Sequence, residues 1–105
     1  MTLHLINKSP ARSSALNDCL SVLEFDNNSA SAILLIEDAV YAALNRSSYA
    51  YLQEKIKSLA IPCYVLKEDM LLRGLHAGLI ESFSIVDYAG FVQLSIDYNK
   101  VQSWS

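Results

Sequence analysis

The chain has 105 residues, a formal net charge of -3, and a composition that is 52% hydrophobic but only 18% charged. This length fits one domain over residues 1–105, and the eight scattered lysines and arginines argue against a surface of this chain that binds nucleic acid directly. No apolar run is long enough to cross a bilayer and no signal peptide precedes the first strand, so we expect a cytoplasmic protein without membrane contact whose two cysteines are reduced.

The first strand is predicted at Thr2–Ile6, and a helix follows it. The turn Asn7-Lys8-Ser9-Pro10 ends this strand, because proline cannot continue it and asparagine and serine favour local bonds to the backbone. Ser13 or Ser14 can cap the helix. One buried face is marked by apolar residues at positions i, i+3, i+4 and i+7, which are Leu16, Cys19, Leu20 and Leu23.

The second strand is predicted at Ser31–Ile36. It is apolar on both faces, which is typical of a central parallel strand that is covered on both sides. Glu37 and Asp38 follow it, where the start of a helix favours negative charge, and a short apolar helix continues to Leu44. A further helix has a buried face formed by Leu52, Ile56 and Leu59.

The third strand is predicted at Cys63–Leu66. Glu68 and Asp69 then open a helical turn, and Gly74 is placed to end that turn in the left-handed conformation.

A fourth strand is predicted at Ser82–Val86, and Asp87 can cap a last helix. The tail over residues 99–105 shows no clear period. Strands that alternate with helices along one chain predict an α/β fold, in which helices cover a mostly parallel sheet of four or five strands.

Cys19 is the candidate reactive group. A thiolate can attack a persulfide and carry its outer sulfur, and an electropositive setting would favour that form. Cys19 nevertheless lies on the apolar face of its helix, about two turns from the helix start, where a small core residue is the simpler interpretation. Both interpretations stay open at this point, and Cys63, inside a strand, is expected to be structural.

Other polar residues have structural interpretations. We expect His4 to be a buried, hydrogen-bonded histidine, and Arg73 and Lys67 to be solvated charges. The acidic residues at the strand ends are expected to cap helices or to complement their dipoles. Trp104, so close to the end of the sequence, is expected to be frayed or held against a surface or partner.

The sequence has no glycine-rich phosphate loop and no zinc-ligand spacing, so we predict neither a cofactor nor a metal.

Four segments, in this order and spacing, resemble the DsrH/TusB family of sulfur-relay proteins. The resemblance covers the full chain, with Ala39 as a departure where family members often have glycine. The residues that carry it are Leu3-His4 with Asn7-Lys8-Ser9-Pro10, Leu34-Leu35-Ile36-Glu37-Asp38-Ala39-Val40-Tyr41-Ala42-Ala43, Leu66-Lys67-Glu68-Asp69 with Arg73-Gly74-Leu75, and Asp87-Tyr88 with Phe91-Val92, Leu94 and Trp104.

The resemblance implies a three-layer α/β sandwich of Rossmann-like or flavodoxin-like type. It also implies a heterohexamer with DsrE/TusD-like and DsrF/TusC-like subunits, in which the DsrE/TusD-type partner holds the principal sulfur-carrying cysteine. Such a complex takes sulfur from a TusA-type carrier and passes it through a TusE-type protein toward 2-thiouridine at the tRNA wobble position.

The resemblance leaves three functions open. The chain is a subunit of a tRNA-thiolation relay, a persulfide carrier in cytoplasmic sulfur oxidation, or a non-catalytic scaffold for its partners. The setting Asp18-Cys19-Leu20 resembles a cysteine of DsrH-type members, which makes Cys19 the candidate persulfide acceptor of this chain.

Overall fold

A computed structural model describes residues 1–25, 30–76, 78 and 83–105. The described residues form one sheet of five strands in the order β4-β3-β2-β1-β5, and every pair of neighbouring strands is parallel. The strands are β1 at Thr2–Ile6, β2 at Ser31–Leu35, β3 at Cys63–Leu66, β4 at Ser84–Val86 and β5 at Lys100–Trp104.

Helices cover both faces of this sheet. The α-helices are α1 at Ala15–Phe25, α2 at Ala50–Leu59, α3 at Lys67–Leu72 and α4 at Tyr88–Asp97, and two 3-10 helices span Glu37–Ala43 and Ser47–Tyr49. The larger core lies between the sheet and the layer of α1, α2, α3 and the first 3-10 helix. Among the described residues, α4 is the helix that packs on the opposite face. The predicted sandwich of helix, sheet and helix layers is therefore confirmed.

The central position of β2 in the sheet explains why its residues are apolar on both faces. Ile33 and Leu35 point into the larger core, while Ala32 and Leu34 point toward α4, and all four are fully buried. Burying one such leucine or isoleucine side chain stabilises the fold by about 1.5–3 kcal/mol relative to leaving it in water. A strand that is apolar on both faces is typical of this central position, where helices cover it on both sides.

The end of α3 also follows the prediction. Gly74 has a φ of +70°, the left-handed conformation in which glycine carries no penalty. The Gly74 N–H donates to the carbonyl of Leu71 at 3.1 Å, and the N–H of Leu75 donates to that of Met70 at 3.0 Å. These bonds satisfy carbonyl groups that the end of a helix would otherwise leave unpaired.

The predicted tail is in fact a strand, and this is the main correction to the sequence-based architecture. Residues 100–104 pair in parallel with β1, from Thr2 opposite Lys100 to Ile6 opposite Trp104. Four of the five β5 residues are exposed, so this edge strand lacks the short apolar run from which the inner strands were predicted. The start of the predicted fourth strand, Ser82, lies outside the described residues, as does the polar segment 26–29.

Within the described residues, no helix is long and apolar enough to cross a membrane.

Candidate functional site

Cys19 lies in the larger core, on the face of α1 that packs against the sheet. Its side chain is 0% exposed, and it shares this core with Leu16, Leu20 and Leu23 of the same helix. The predicted apolar face of α1 is therefore confirmed. Burial raises the pKa of the Cys19 thiol from the ordinary value of 9.0 to about 12, because a thiolate is poorly solvated in an apolar interior.

Cys63 belongs to the same core, from the sheet side. Burial is the main cause that raises the pKa of its thiol, the charge of Cys19 adds to it, and a hydrogen bond from the backbone of Tyr64 opposes it. Both thiols are free and buried. The two cysteines are thus close enough to influence each other, and both are protonated at neutral pH.

A buried, protonated thiol is a poor nucleophile. The attacking species in sulfur transfer is the thiolate, which forms in exposed, electropositive settings. The structure places Cys19 in an apolar core, where its side chain is neither exposed nor surrounded by positive charge. Its role as a persulfide acceptor stays a prediction, and one that requires α1 to move away from the sheet.

Alkaline pH is expected to destabilise the protein through these thiols. In the unfolded chain, Cys19 loses its proton near the ordinary thiol pKa of 9.0, whereas in the folded chain it does so near 12. Its contribution to stability is therefore complete below pH 9 and is lost as the pH rises toward 12, by at most about 1.4 kcal/mol for each pH unit.

Urea unfolding of the wild type and of Cys19→Ala at pH 7.5 and pH 10 tests this effect. The variant should be the less stable protein at pH 7.5, since it lacks a core side chain, and the difference should shrink at pH 10. Cys63→Ala, on the opposite wall of the core, is a second test of the same effect and should change in the same direction, because burial also raises the pKa of the Cys63 thiol. Parallel pH profiles for all three proteins would contradict the raised pKa.

The carboxyl ends of the strands carry a second group of functional candidates, the acidic residues. Asp87 caps α4, since its carboxylate accepts a hydrogen bond from the N–H of Gly90 at 2.8 Å, so that prediction is confirmed. Two other acidic side chains accept hydrogen bonds from residues that are distant in the sequence. The Glu68 carboxylate accepts from the N–H of Tyr88 at 3.1 Å, and that of Asp69 accepts from the N–H of Glu37 at 2.6 Å.

Arg73 is not the freely solvated charge that the sequence predicts. Its Nε lies 2.9 Å from Asp38 Oδ1, with 21% of the arginine side chain exposed, and its Nη1 donates to the carbonyl of Asp69. The acidic residues of neighbouring strand ends are thus tied together by hydrogen bonds and one ion pair. They form a structural network rather than a free carboxylate pair for acid–base catalysis.

Glu37 has a φ of +50°, although it is not a glycine. A side chain makes this left-handed conformation unfavourable. The short hydrogen bond to Asp69 holds the turn there, immediately after β2. The network therefore fixes the path of the chain as it leaves the central strand.

His4 and Trp104 form a pair across β1 and β5. His4 is 5% exposed, and its Nδ1 accepts a hydrogen bond from the indole Nε1–H of Trp104 at 3.0 Å. The prediction of a buried, bonded histidine is confirmed. Of the alternatives predicted for Trp104, fraying is wrong, since its partly buried ring is held against the larger core of its own chain.

Within the described ranges, no three His, Cys, Asp or Glu side chains are grouped so that they could hold a metal ion.

Comparison with known proteins places this geometry among relatives that match over nearly the whole chain. The family described as DsrH-like protein matches residues 8–101. Protein TusB of Shigella flexneri and Protein TusB of Escherichia coli K12 are each 28% identical over 102 residues, which span 97% of this chain and 99% of theirs.

Solved structures share the fold at lower sequence identity. The YchN protein of Escherichia coli superposes with a TM-score of 0.79 at 20% identity, over 97% of both chains. A protein of unknown function from Methanobacterium thermoautotrophicum superposes with a TM-score of 0.70 at 14% identity, over 96% of both chains.

Proposed function

This chain belongs to the DsrH family, and on that premise we propose that it is a subunit of a heteromeric sulfur-relay complex of the TusBCD type. The complex would pass persulfide sulfur toward 2-thiouridine at the wobble position of tRNA. Its other members would be DsrE/TusD-like and DsrF/TusC-like subunits, supplied by a TusA-type carrier and discharged to a TusE-type one. Full-length similarity to two TusB proteins supports this assignment.

The observation that carries the division of labour is the burial of Cys19. At 0% exposure, with its pKa raised to about 12, this thiol is unsuited to attack a persulfide at neutral pH. We therefore assign the main sulfur-carrying cysteine to a partner subunit. The chain described here would stabilise that partner and help to form its binding surface.

An exposed apolar stripe on α4 supports assembly with other subunits. Tyr88, Val92 and Ile96 are spaced four residues apart on one side of the helix and are 62%, 41% and 69% exposed. A contiguous patch of large apolar side chains is seldom exposed to water on a monomeric protein. The side of α4 that faces the sheet instead carries Phe91 and Leu94, and Tyr98 follows directly after the helix on the same face of the sheet.

A cellular thiolation assay tests the proposal. In a bacterium that carries this gene, we expect deletion to abolish 2-thiouridine in digested tRNA, measured by mass spectrometry. We expect Cys19→Ser, expressed at the wild-type level, to restore it to at least about half of the wild-type amount, since in this proposal the sulfur is carried by a partner's cysteine and Cys19 serves as a small core residue.

Two outcomes would contradict the proposal. Normal thiolation in the deletion strain would remove the chain from tRNA modification altogether. Restoration by the wild type but not by a well-folded Cys19→Ser protein would make Cys19 a working relay thiol, and of this proposal only membership of the complex would then stand.

The alternative within the family is a DsrH-type persulfide carrier in cytoplasmic sulfur oxidation. The cysteine setting Asp18-Cys19-Leu20 favours it. This function predicts that deletion impairs growth on reduced sulfur compounds while tRNA thiolation continues, so the same deletion strain separates the two.

A further inference from the structure

A basic groove lies beside the carboxyl end of β1, and neither cysteine is among the described residues that line it. The groove has a volume of about 430 Å³, and the described residues that line it are Lys8, Ser9, Arg12, Asp38 and Tyr41. Lys8, Ser9 and Arg12 belong to the loop between β1 and α1, and Asp38 and Tyr41 belong to the first 3-10 helix. In parallel α/β sheets, the carboxyl ends of the strands are the edge at which ligands bind.

The charges of this groove do not cancel. Lys8 and Arg12 form no ion pair with any carboxylate in the described part of the chain, where the ion pairs are Lys55 with Glu24, Lys57 with Glu54, and Arg73 with Asp38. Asp38 is the one acid among the described residues that line the groove, and it is already paired with Arg73. Two cations are left to face the same concave surface, on a chain whose net charge is -3.

The donors that line the groove fit an anion with more than two oxygens. A lysine ammonium has three N–H donors and an arginine guanidinium has five. Ser9 accepts the N–H of Ala11 at 3.2 Å with its hydroxyl oxygen, so its own O–H remains available, and Tyr41 carries a second hydroxyl. A carboxylate would use fewer of these donors, whereas the oxygens of a phosphate can accept from all four groups.

We propose that this groove, defined by Lys8, Ser9, Arg12 and Tyr41, binds a single phosphate group. Its volume lies at the small end of the range for ligand sites, and two cations are too few to follow a nucleic-acid backbone. The ligand is therefore a free phosphate ion or a phosphomonoester. This site does not depend on the sulfur-relay proposal, since it uses no cysteine and no partner subunit.

The test is a titration of the full chain with inorganic phosphate at constant ionic strength, followed by the backbone amide resonances of Ser9, Ala11 and Arg12. We expect saturable shifts confined to this loop and the facing 3-10 helix. Lys8→Ala and Arg12→Ala should each weaken binding about tenfold, as the loss of one charge-assisted hydrogen bond would. The double variant should abolish it while keeping the wild-type thermal transition.

Lys57→Ala is the matched control, because it removes one surface cation on α2, far from the groove in sequence and already paired with Glu54. It should leave phosphate binding unchanged. Equal competition by acetate at the same ionic strength, or equal affinity in the double variant, would overturn the site.

Parallel titrations with adenosine monophosphate and adenosine distinguish the sources of the phosphate. Binding of inorganic phosphate with little or no binding of the nucleotide identifies a free-ion site, and tighter binding of the nucleotide identifies a phosphomonoester site. Shifts of the same loop by adenosine, with none by inorganic phosphate, would show that the groove recognises the nucleoside rather than the phosphate, and would overturn the proposal.

Discussion

Incubated with a persulfidated carrier protein at neutral pH, the native chain is expected to keep its own mass, with no sulfur added to Cys19. Transfer requires a Cys19 thiolate to attack the outer sulfur of the donor persulfide, so that the donor S–S bond breaks and the donor leaves as a thiolate. With the pKa raised from 9.0 to about 12, the folded chain holds about a thousandfold less thiolate than an ordinary cysteine. Full burial in the core also keeps the donor away.

Intact-mass spectrometry measures this directly, with four samples: the wild type, Cys19→Ser, Cys63→Ser and the wild type in urea. We expect no added sulfur in the three native samples and addition in the unfolded one, which shows that the donor is active. A gain of one sulfur atom by the native wild type, lost in Cys19→Ser but kept in Cys63→Ser, would contradict the expectation. It would show that α1 opens often enough for Cys19 to serve as a relay thiol.

The inner part of the fold was predictable because local sequence patterns decide it. Ile33 and Leu34 point to opposite faces of β2 and are both fully buried, so an unbroken apolar run there allows little besides a central parallel strand. The apolar face of α1 and the left-handed Gly74 are equally local signals. In each case the residues that determine the structure lie close together in the sequence.

The candidate site was less predictable because its contacts join distant parts of the chain. Arg73 pairs with Asp38 across 35 positions, and no spacing rule connects an arginine near the end of one helix with an acid at the start of another. The apolar face of α1 predicted the burial of Cys19, yet the size of its pKa shift depends on how closely the sheet covers it. The basic groove was missed for the same reason, since Lys8 and Tyr41 meet only in the folded chain.

The edge strand β5 was missed for a different reason. Its residues are mostly exposed, so they carry no alternating apolar pattern, and its place next to β1 depends on α4 crossing back over the sheet. One local signal was available, a tryptophan near the end of the sequence. Large aromatic side chains usually bury most of their surface, and that preference outweighed the general tendency of chain ends to fray.

Replacing Trp104 by alanine is expected to lower the free energy of unfolding by about 2–4 kcal/mol, since the change removes core packing and the hydrogen bond to a buried histidine. Trp104→Phe keeps an aromatic ring but loses the indole donor, and should lower it by about 1–2 kcal/mol. Urea unfolding at pH 7.5 measures both. Tyr51→Ala, at a 59% exposed aromatic residue of α2, is the control and should change the stability by less than about 0.5 kcal/mol.

A double-mutant cycle with His4→Ala and Trp104→Phe isolates the hydrogen bond between the two rings, because each single change removes one partner of the 3.0 Å contact. We expect a coupling energy of about 1 kcal/mol. If Trp104→Ala is instead no less stable than the Tyr51→Ala control, β5 is not held by its tryptophan. The parallel pairing of its backbone with β1, from Thr2 opposite Lys100 to Ile6 opposite Trp104, would then be what holds β5 at the edge of the sheet.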